Sequence, residues 1–179
     1  LRALGSRIIY RSGDPVDVLR ELVRETGAGA VYWSRLYDPE SVARDTKVKA
    51  TLQADGIDAK SVSGHLMFEP WTVETKAGGF FRVYTPFWRA VSGRDVATPL
   101  PAPTKIPSPE MWPQSEHLSD WKMGARLRCG QSVLSQYLSA GEGVAQDILF
   151  QFMETGVDRY ATGRDLMGVN GTSRLSQFL

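Results

Sequence analysis

The chain of 179 residues has little of what metal, disulfide or membrane proteins require. Its one cysteine, Cys129, cannot form an internal disulfide, which suits a reducing intracellular compartment. The two histidines, His65 and His117, stand far apart and have no second ligand at metal-binding spacing, so we expect no metal site. The sequence has no apolar run of about 18 residues and no signal-peptide core. These absences predict a soluble, cytoplasmic protein.

Extreme charge is also absent, and so are the common catalytic motifs. The net charge of +1 excludes a strongly basic nucleic-acid-binding tail, although a local basic face stays compatible with it. A hydrophobic content of 42% is typical of globular proteins and predicts a core. The sequence contains no Gly-x-Ser-x-Gly elbow, Walker loop or His-Glu-x-x-His motif. The function must therefore be sought in less common patterns.

The first half of the chain alternates predicted strands and helices. β-Branched and aromatic residues predict three strands, at 6–11, 30–33 and 57–62. Asp14 and Pro15 are typical of a helix start. A second helix is predicted after a loop through 35–39, and it extends to about Asp55. This alternation indicates right-handed βαβ units in an open parallel sheet.

The sheet also predicts where a ligand would bind. In such folds ligands lie beyond the carboxyl ends of the strands, here near 34–38 and 63–67. Farther along, 71–75 and 80–84 flank a Gly-Gly pair and predict a hairpin-like excursion, before a helix that begins at Thr85.

Composition divides the chain into three predicted parts. Six of the ten prolines lie between Pro99 and Pro113, which is typical of an extended connector that is not itself packed. Beyond the connector, a predicted helix that ends near Gly156 carries apolar residues on one side, which indicates that a helical region follows the connector. We predict an α/β domain at 1–97, a linker at 98–130 and a helical domain starting at 131–179.

The stretch Gly171 to Ser176 holds three hydroxyls and one guanidinium in six residues. Hydroxyls at a helix start satisfy unpaired backbone N–H groups, and the same geometry can receive an anion. The guanidinium of Arg174 favours phosphate, because its planar fork matches two oxygens at once. From the residues alone, both a helix cap and a phosphate cradle stay open.

Further short motifs occur along the chain before the last cluster. In chain order the set is Gly13-Asp14-Pro15, Ala43-Arg44-Asp45, Tyr84-Thr85-Pro86-Phe87-Trp88, Tyr160, Arg164-Asp165 and Gly171 to Ser176. Together these residues resemble the DNA photolyase/cryptochrome family over essentially the whole chain. The proline-rich linker agrees in position. The spacing from Tyr160 to Thr172–Ser176 is the most specific part of the resemblance.

The resemblance implies a fold and a set of binding residues. The fold would be an open, Rossmann-like α/β antenna domain that lacks its first strands, then the linker and the beginning of an all-α FAD-binding domain. The family's strand order, 3-2-1-4-5, implies that the three predicted strands are not all neighbours. The residues that would contact FAD, chiefly its phosphates, are Tyr160, Thr172, Ser173, Arg174, Leu175 and Ser176. Arg164 matches a position that faces DNA.

The resemblance also implies a function with alternatives. The first is light-driven repair of cyclobutane pyrimidine dimers in damaged DNA, by an electron from reduced FAD to a flipped dimer. The second is a cryptochrome-type blue-light photoreceptor with the same cofactor. The third is a non-catalytic, nucleotide-binding α/β remnant. The residues that separate the first two would lie past Leu179, and we expect the chain alone to be inactive.

Two expectations concern further partners. Glu40-Ser41 stands where folate-binding members carry Asn-Glu, which disfavours folate as the antenna chromophore and leaves another chromophore, or none, open. We expect a full-length protein to be monomeric. Self-association of the isolated piece is expected, because unpaired strand edges favour pairing with a second chain.

Overall fold

A computed structural model describes residues 1–125 and 130–178. The chain divides into two compact units, Leu1–Asp120 and Trp121–Leu179. The elements of the first unit are α1 (Pro15–Thr26), β1 (Ala30–Ser34), α2 (Pro39–Ala54), β2 (Asp58–Val62) and α3 (Tyr84–Val91). Those of the second are α4 (Gly130–Leu134), α5 (Glu142–Thr155) and α6 (Tyr160–Gly163).

The first two helices begin where an aspartate precedes a proline. The Asp14 carboxylate accepts a hydrogen bond from the Val16 backbone at 2.9 Å, and Asp38 accepts one from the Ser41 backbone at 2.8 Å. The second bond holds the pKa of the Asp38 carboxyl below its usual value. Gly27 ends α1 in the left-handed conformation, with φ of 66°. Both predicted helices are confirmed, because their start signals are local.

The two strands form a parallel pair. Ala30 lies opposite Asp58, and the register continues to Ser34 opposite Val62. Helix α2 provides the crossover between them. The buried core consists of Val16, Val48, Leu52 and Ala59, with Leu19, Val31, Trp33 and Ile57 packed against it. The predicted α/β class with a parallel sheet is therefore confirmed.

The prediction of a strand at 6–11 is wrong, since this segment pairs with no strand of the described residues. Its backbone bonds instead to the proline-rich stretch. The Tyr10 backbone donates to the Ser115 hydroxyl at 3.0 Å, and the Glu116 backbone donates to the Tyr10 carbonyl at 2.9 Å. High β-propensity shows that side chains fit a pleated surface, but it does not supply a partner strand.

The proline-rich stretch has no helix or strand between 98 and 117, yet it is packed, contrary to our expectation. The Ile106 backbone donates to the Leu4 carbonyl at 2.9 Å. The Arg7 guanidinium lies over the Trp112 ring, 4.6 Å from its centroid. Its role as an interdomain linker stays a prediction, and residues 126–129 at its predicted end, with Cys129, lie outside the described residues.

The predicted hairpin between 71 and 84 is also wrong, because the described residues there form no strand. Pro70–Thr72 is a 3-10 turn, in which Pro70 fixes φ and offers no backbone donor. A second turn is closed by the Thr75 backbone, which donates to the Gly79 carbonyl at 2.9 Å. The positive φ of 82° at Gly79 explains the glycine there.

We expect Leu52→Ala to lower the free energy of unfolding by about 2–5 kcal/mol, because Leu52 is fully buried in the core. Urea denaturation would measure this. Val42→Ala on the same helix is the control: Val42 is 46% exposed, and its truncation should change stability by less than about 0.5 kcal/mol. Equal effects of the two changes would contradict the assigned core.

The ion pairs of the Arg11 guanidinium should make the stability of the fold depend on pH. It contacts Glu25 at 2.5 Å and Glu21 at 3.3 Å, and its hydrogen bond to Glu25 lowers the pKa of that carboxyl. The ion pair therefore stabilises the fold above the unfolded-state pKa of about 4.3. The stabilisation is lost as pH falls through the lower, folded-state pKa.

Glu25→Gln should reduce stability near neutral pH and flatten the loss of stability on acidification. Urea midpoints measured from pH 7 to pH 3 would test this. Glu74→Gln is the control, because Glu74 is exposed and forms no ion pair within the described part of the chain. An unchanged pH profile in Glu25→Gln would argue against the ion pair.

Candidate functional site

A cavity of about 610 Å³ in the second unit gathers most of the predicted cofactor-binding residues. Its C-terminal wall is made by Thr172, Ser173, Arg174 and Ser176, and Phe152 of α5 contributes to the facing wall. Asn170, Gln151 and Thr155 add further polar groups. Four of the six predicted residues thus face one space.

The other two predicted residues lie beside this space. The Leu175 backbone donates to the Ser173 hydroxyl at 3.5 Å and opens the 3-10 turn Leu175–Phe178. The Tyr160 ring packs edge-on against Phe152, with ring centroids 6.0 Å apart. Tyr160 therefore supports a cavity wall from behind. It is the first residue of α6.

The hydrogen bonds of the cluster combine the two interpretations of Gly171 to Ser176. Ser173 makes a cap-like bond to a four-residue 3-10 turn. The Thr172 and Ser176 hydroxyls and the Arg174 guanidinium have no hydrogen-bond or ion-pair partner within residues 1–125 and 130–178. Arg174 has φ of 53°, a conformation that non-glycine residues rarely adopt. One hydroxyl serves as a cap, and three groups are free to meet an anion.

Arg164 lies at the end of α6 and is largely exposed. Its side chain is 53% accessible, and its Nε lies 3.7 Å from Asp165 Oδ2. Its guanidinium carbon lies 5.6 Å from the centroid of the Tyr160 ring. Because an exposed ion pair of this kind contributes little, the guanidinium can still engage an external anion.

A close backbone contact joins Arg164 to the cluster. A Cβ built on Gly171 would overlap the Gly163 carbonyl and come within 2.8 Å of the Arg164 nitrogen. Gly163 itself is buried. The sequence places Gly171 in the hydroxyl cluster but does not show that this position must be a glycine. The spacing of two glycines around an exposed loop was the available signal.

The carboxyl ends of β1 and β2 carry a network of polar side chains centred on Arg35. Arg35 forms an ion pair with Glu69 and donates to the Ser61 carbonyl at 3.0 Å. The Tyr37 hydroxyl donates to Glu69 at 2.9 Å. Burial, and then this hydrogen bond, raise the pKa of Tyr37. The polar groups at the predicted ligand edge are therefore bonded mainly to one another.

An apolar groove of about 530 Å³ adjoins this edge, and the sequence had not indicated it. Its lining is mostly aromatic and aliphatic, and includes Leu66, Phe68, Phe80, Phe81, Phe87 and Trp88. Trp88 is 52% exposed. A groove of this kind suits a flat, apolar ring system.

Two kinds of feature are absent from the part of the chain that the structure describes. It has no group of three or more histidine, cysteine, aspartate or glutamate side chains placed to hold a metal ion. It also has no helix with the length and apolar character needed to cross a membrane.

Comparison with known proteins agrees with the resemblance seen in the sequence. The family model for DNA photolyase matches residues 1–106. The deoxyribodipyrimidine photo-lyase of Agrobacterium fabrum is 41% identical over 180 residues, which cover 100% of this chain and 38% of that protein. Cryptochrome-1 of Arabidopsis thaliana is 38% identical over 109 residues, which cover 59% of this chain and 16% of that protein.

A solved structure extends the agreement to the fold. The crystal structure of a bacterial class III photolyase from Agrobacterium tumefaciens is similar with a TM-score of 0.90 and 41% identity. The match covers 98% of this chain and 37% of that one, so the chain spans less than two fifths of these relatives' length. Sequence, family model and fold agree, and the chain belongs to the DNA photolyase family.

Proposed function

We propose that this chain forms part of a deoxyribodipyrimidine photo-lyase, which repairs cyclobutane pyrimidine dimers in DNA with light and reduced FAD. The observation that carries the proposal is the cavity wall in which Thr172, Arg174 and Ser176 present unused polar groups. The similarity to the photolyase of Agrobacterium fabrum, which extends over 100% of this chain, supports it.

The donor set fits the phosphates of FAD. Two hydroxyls and one guanidinium, which have no partner among the residues that the structure describes, can bond to phosphate oxygens, and the planar fork of Arg174 can hold two of them at once. We propose Thr172, Ser173, Arg174, Leu175 and Ser176 as the phosphate-binding segment. Tyr160 would keep the Phe152 wall in place. When bound, the flavin supplies the light absorption and the electron.

Arg164 is our proposed contact to DNA. An exposed guanidinium attracts a DNA phosphate without regard to sequence. Its close link to the phosphate-binding segment through Gly163 and Gly171 would hold the strand at a fixed place relative to the cofactor. Binding and orientation are thus the tasks of these residues, and the electron transfer belongs to the flavin.

We also propose an antenna chromophore other than folate. The Ser41 side chain is buried and its backbone N–H is bonded to Asp38, so the Glu40-Ser41 pair offers only the Glu40 side chain. The apolar groove beside the strand ends is a second place where a flat ring could bind. In this proposal, 1–97 is the antenna domain, 98–130 the linker and 131–179 the start of the FAD domain.

The alternative is a blue-light photoreceptor of the cryptochrome type. Its support is the 38% identity to cryptochrome-1 of Arabidopsis thaliana, over 59% of this chain. Photolyase is favoured because its match over the full chain is 41% identical, against 29% for a cryptochrome that also matches the full chain. A non-catalytic remnant would retain the fold without the cofactor. For the repair enzyme we propose a cytoplasmic monomer.

A protein of full family length that contains these residues should bind FAD and repair dimer-containing DNA under blue light when the flavin is reduced. Flavin absorbance and restoration of the DNA would be measured together. The 179-residue chain is the comparison and should do neither, because the match covers 38% of a photolyase. Bound, reduced flavin without repair would favour the photoreceptor, and absence of flavin from the long protein would favour the remnant.

Arg164→Ala in that protein should weaken DNA binding uniformly across sequences and reduce the slope of log affinity against log salt by about 1. Flavin content should not change, since Arg164 does not line the cavity. Arg89→Ala is the control, as Arg89 is exposed in α3 and its removal changes the net charge equally. Loss of flavin in Arg164→Ala would show that the residue's role is misassigned.

A further inference from the structure

The exposed loop after α6 is closed by its own backbone. The Leu166 backbone donates to the Gly163 carbonyl at 3.1 Å, and the Gly171 backbone donates to the Val169 carbonyl at 3.0 Å. Met167 at its tip is fully exposed. The loop is therefore exposed, and its two ends meet at one place, Gly163 and Gly171.

The contact between these ends tolerates no side chain at Gly171. A Cβ there would meet the carbonyl carbon and oxygen of Gly163 and the nitrogen of Arg164, all backbone atoms that cannot rotate away. Gly168, in the same loop, differs: a Cβ there would have no heavy atom within 4 Å. The requirement is thus specific to one glycine of the loop.

The contact places two functional residues on either side of it. Arg164 follows Gly163 directly, and Thr172 follows Gly171 directly. A shift of the Arg164 backbone moves its guanidinium, whose contacts within the described residues are an exposed one with Asp165 and one with the Tyr160 ring. Because those contacts are weak, the backbone contact fixes the point from which the Arg164 side chain extends, and so limits where its guanidinium can lie.

We propose that Gly171 is a positioning residue for DNA binding: its bare backbone seats Arg164 beside the cofactor-binding segment and sets where the guanidinium meets a DNA phosphate. The inference rests on the proposed function, in which Arg164 contacts DNA. Gly171 itself touches no DNA, and it acts through Arg164.

A double-mutant cycle in the flavin-loaded, full-length protein tests this. Affinity for dimer-containing DNA is measured for Gly171→Ala, for Arg164→Ala and for both together. Gly171→Ala should weaken binding when Arg164 is present and should add no further loss in the Arg164→Ala protein, a non-additivity of at least about threefold. Gly168→Ala should leave the affinity unchanged in both backgrounds.

The other outcomes overturn the proposal in distinguishable ways. Wild-type affinity in Gly171→Ala, or an equal loss in both backgrounds, would sink the positioning role and leave the repair function intact. No loss of affinity in Arg164→Ala alone would show that the proposed DNA contact itself fails. If Gly171→Ala does not fold, Gly163→Val replaces it: a Cβ at Gly163 would lie 3.4 Å from the Gly171 Cα, an ordinary contact, and the methyl groups beyond it would press on Gly171. A smaller loss that again depends on Arg164 is expected there.

Discussion

The need of backbone N–H and C=O groups for partners governs both units of this protein. In the first unit, β1 and β2 satisfy one another, and the segment around Tyr10 bonds to the proline-rich stretch at Ser115 and Glu116. In the second, the chain returns on itself so closely at Gly163 that Gly171 has no room for a side chain. Side-chain chemistry is then added at the positions that this backbone arrangement allows.

One short segment of the candidate site, 172–176, has two roles: it caps a turn and it lines a cavity. The Ser173 hydroxyl accepts a hydrogen bond from the turn that follows it. Thr172, Arg174 and Ser176 line the cavity, and their polar groups have no partner among the described residues. A cap and an anion site are therefore not competing descriptions of the cluster, because they use different residues of it. Between these residues, Arg174 has a left-handed backbone with φ of 53°, which residues other than glycine rarely adopt.

Local signals could be read from the sequence, and contacts between distant residues could not. The helix at Asp14 follows from an aspartate and a proline within one turn, whereas the second helix was predicted without its start at Asp38 and Pro39. The wrong prediction of a strand at 6–11 shows that β-propensity does not identify the hydrogen-bond partner. Here the partner of Tyr10 is Ser115, more than 100 positions away. The hydroxyl cluster was visible because its residues are consecutive, but the apolar groove and the contact of Gly163 with Gly171 exist only after folding.

The bond between Tyr10 and Glu116 has an evolutionary consequence. It brings the two flanks of the α/β core side by side, so the residues between them leave and re-enter one small patch of backbone. A segment with adjacent ends can be exchanged between related genes as a cassette, because only one junction surface must match. Recombination at this junction would replace the α/β core of the first unit and leave the second unit, Trp121–Leu179, unchanged.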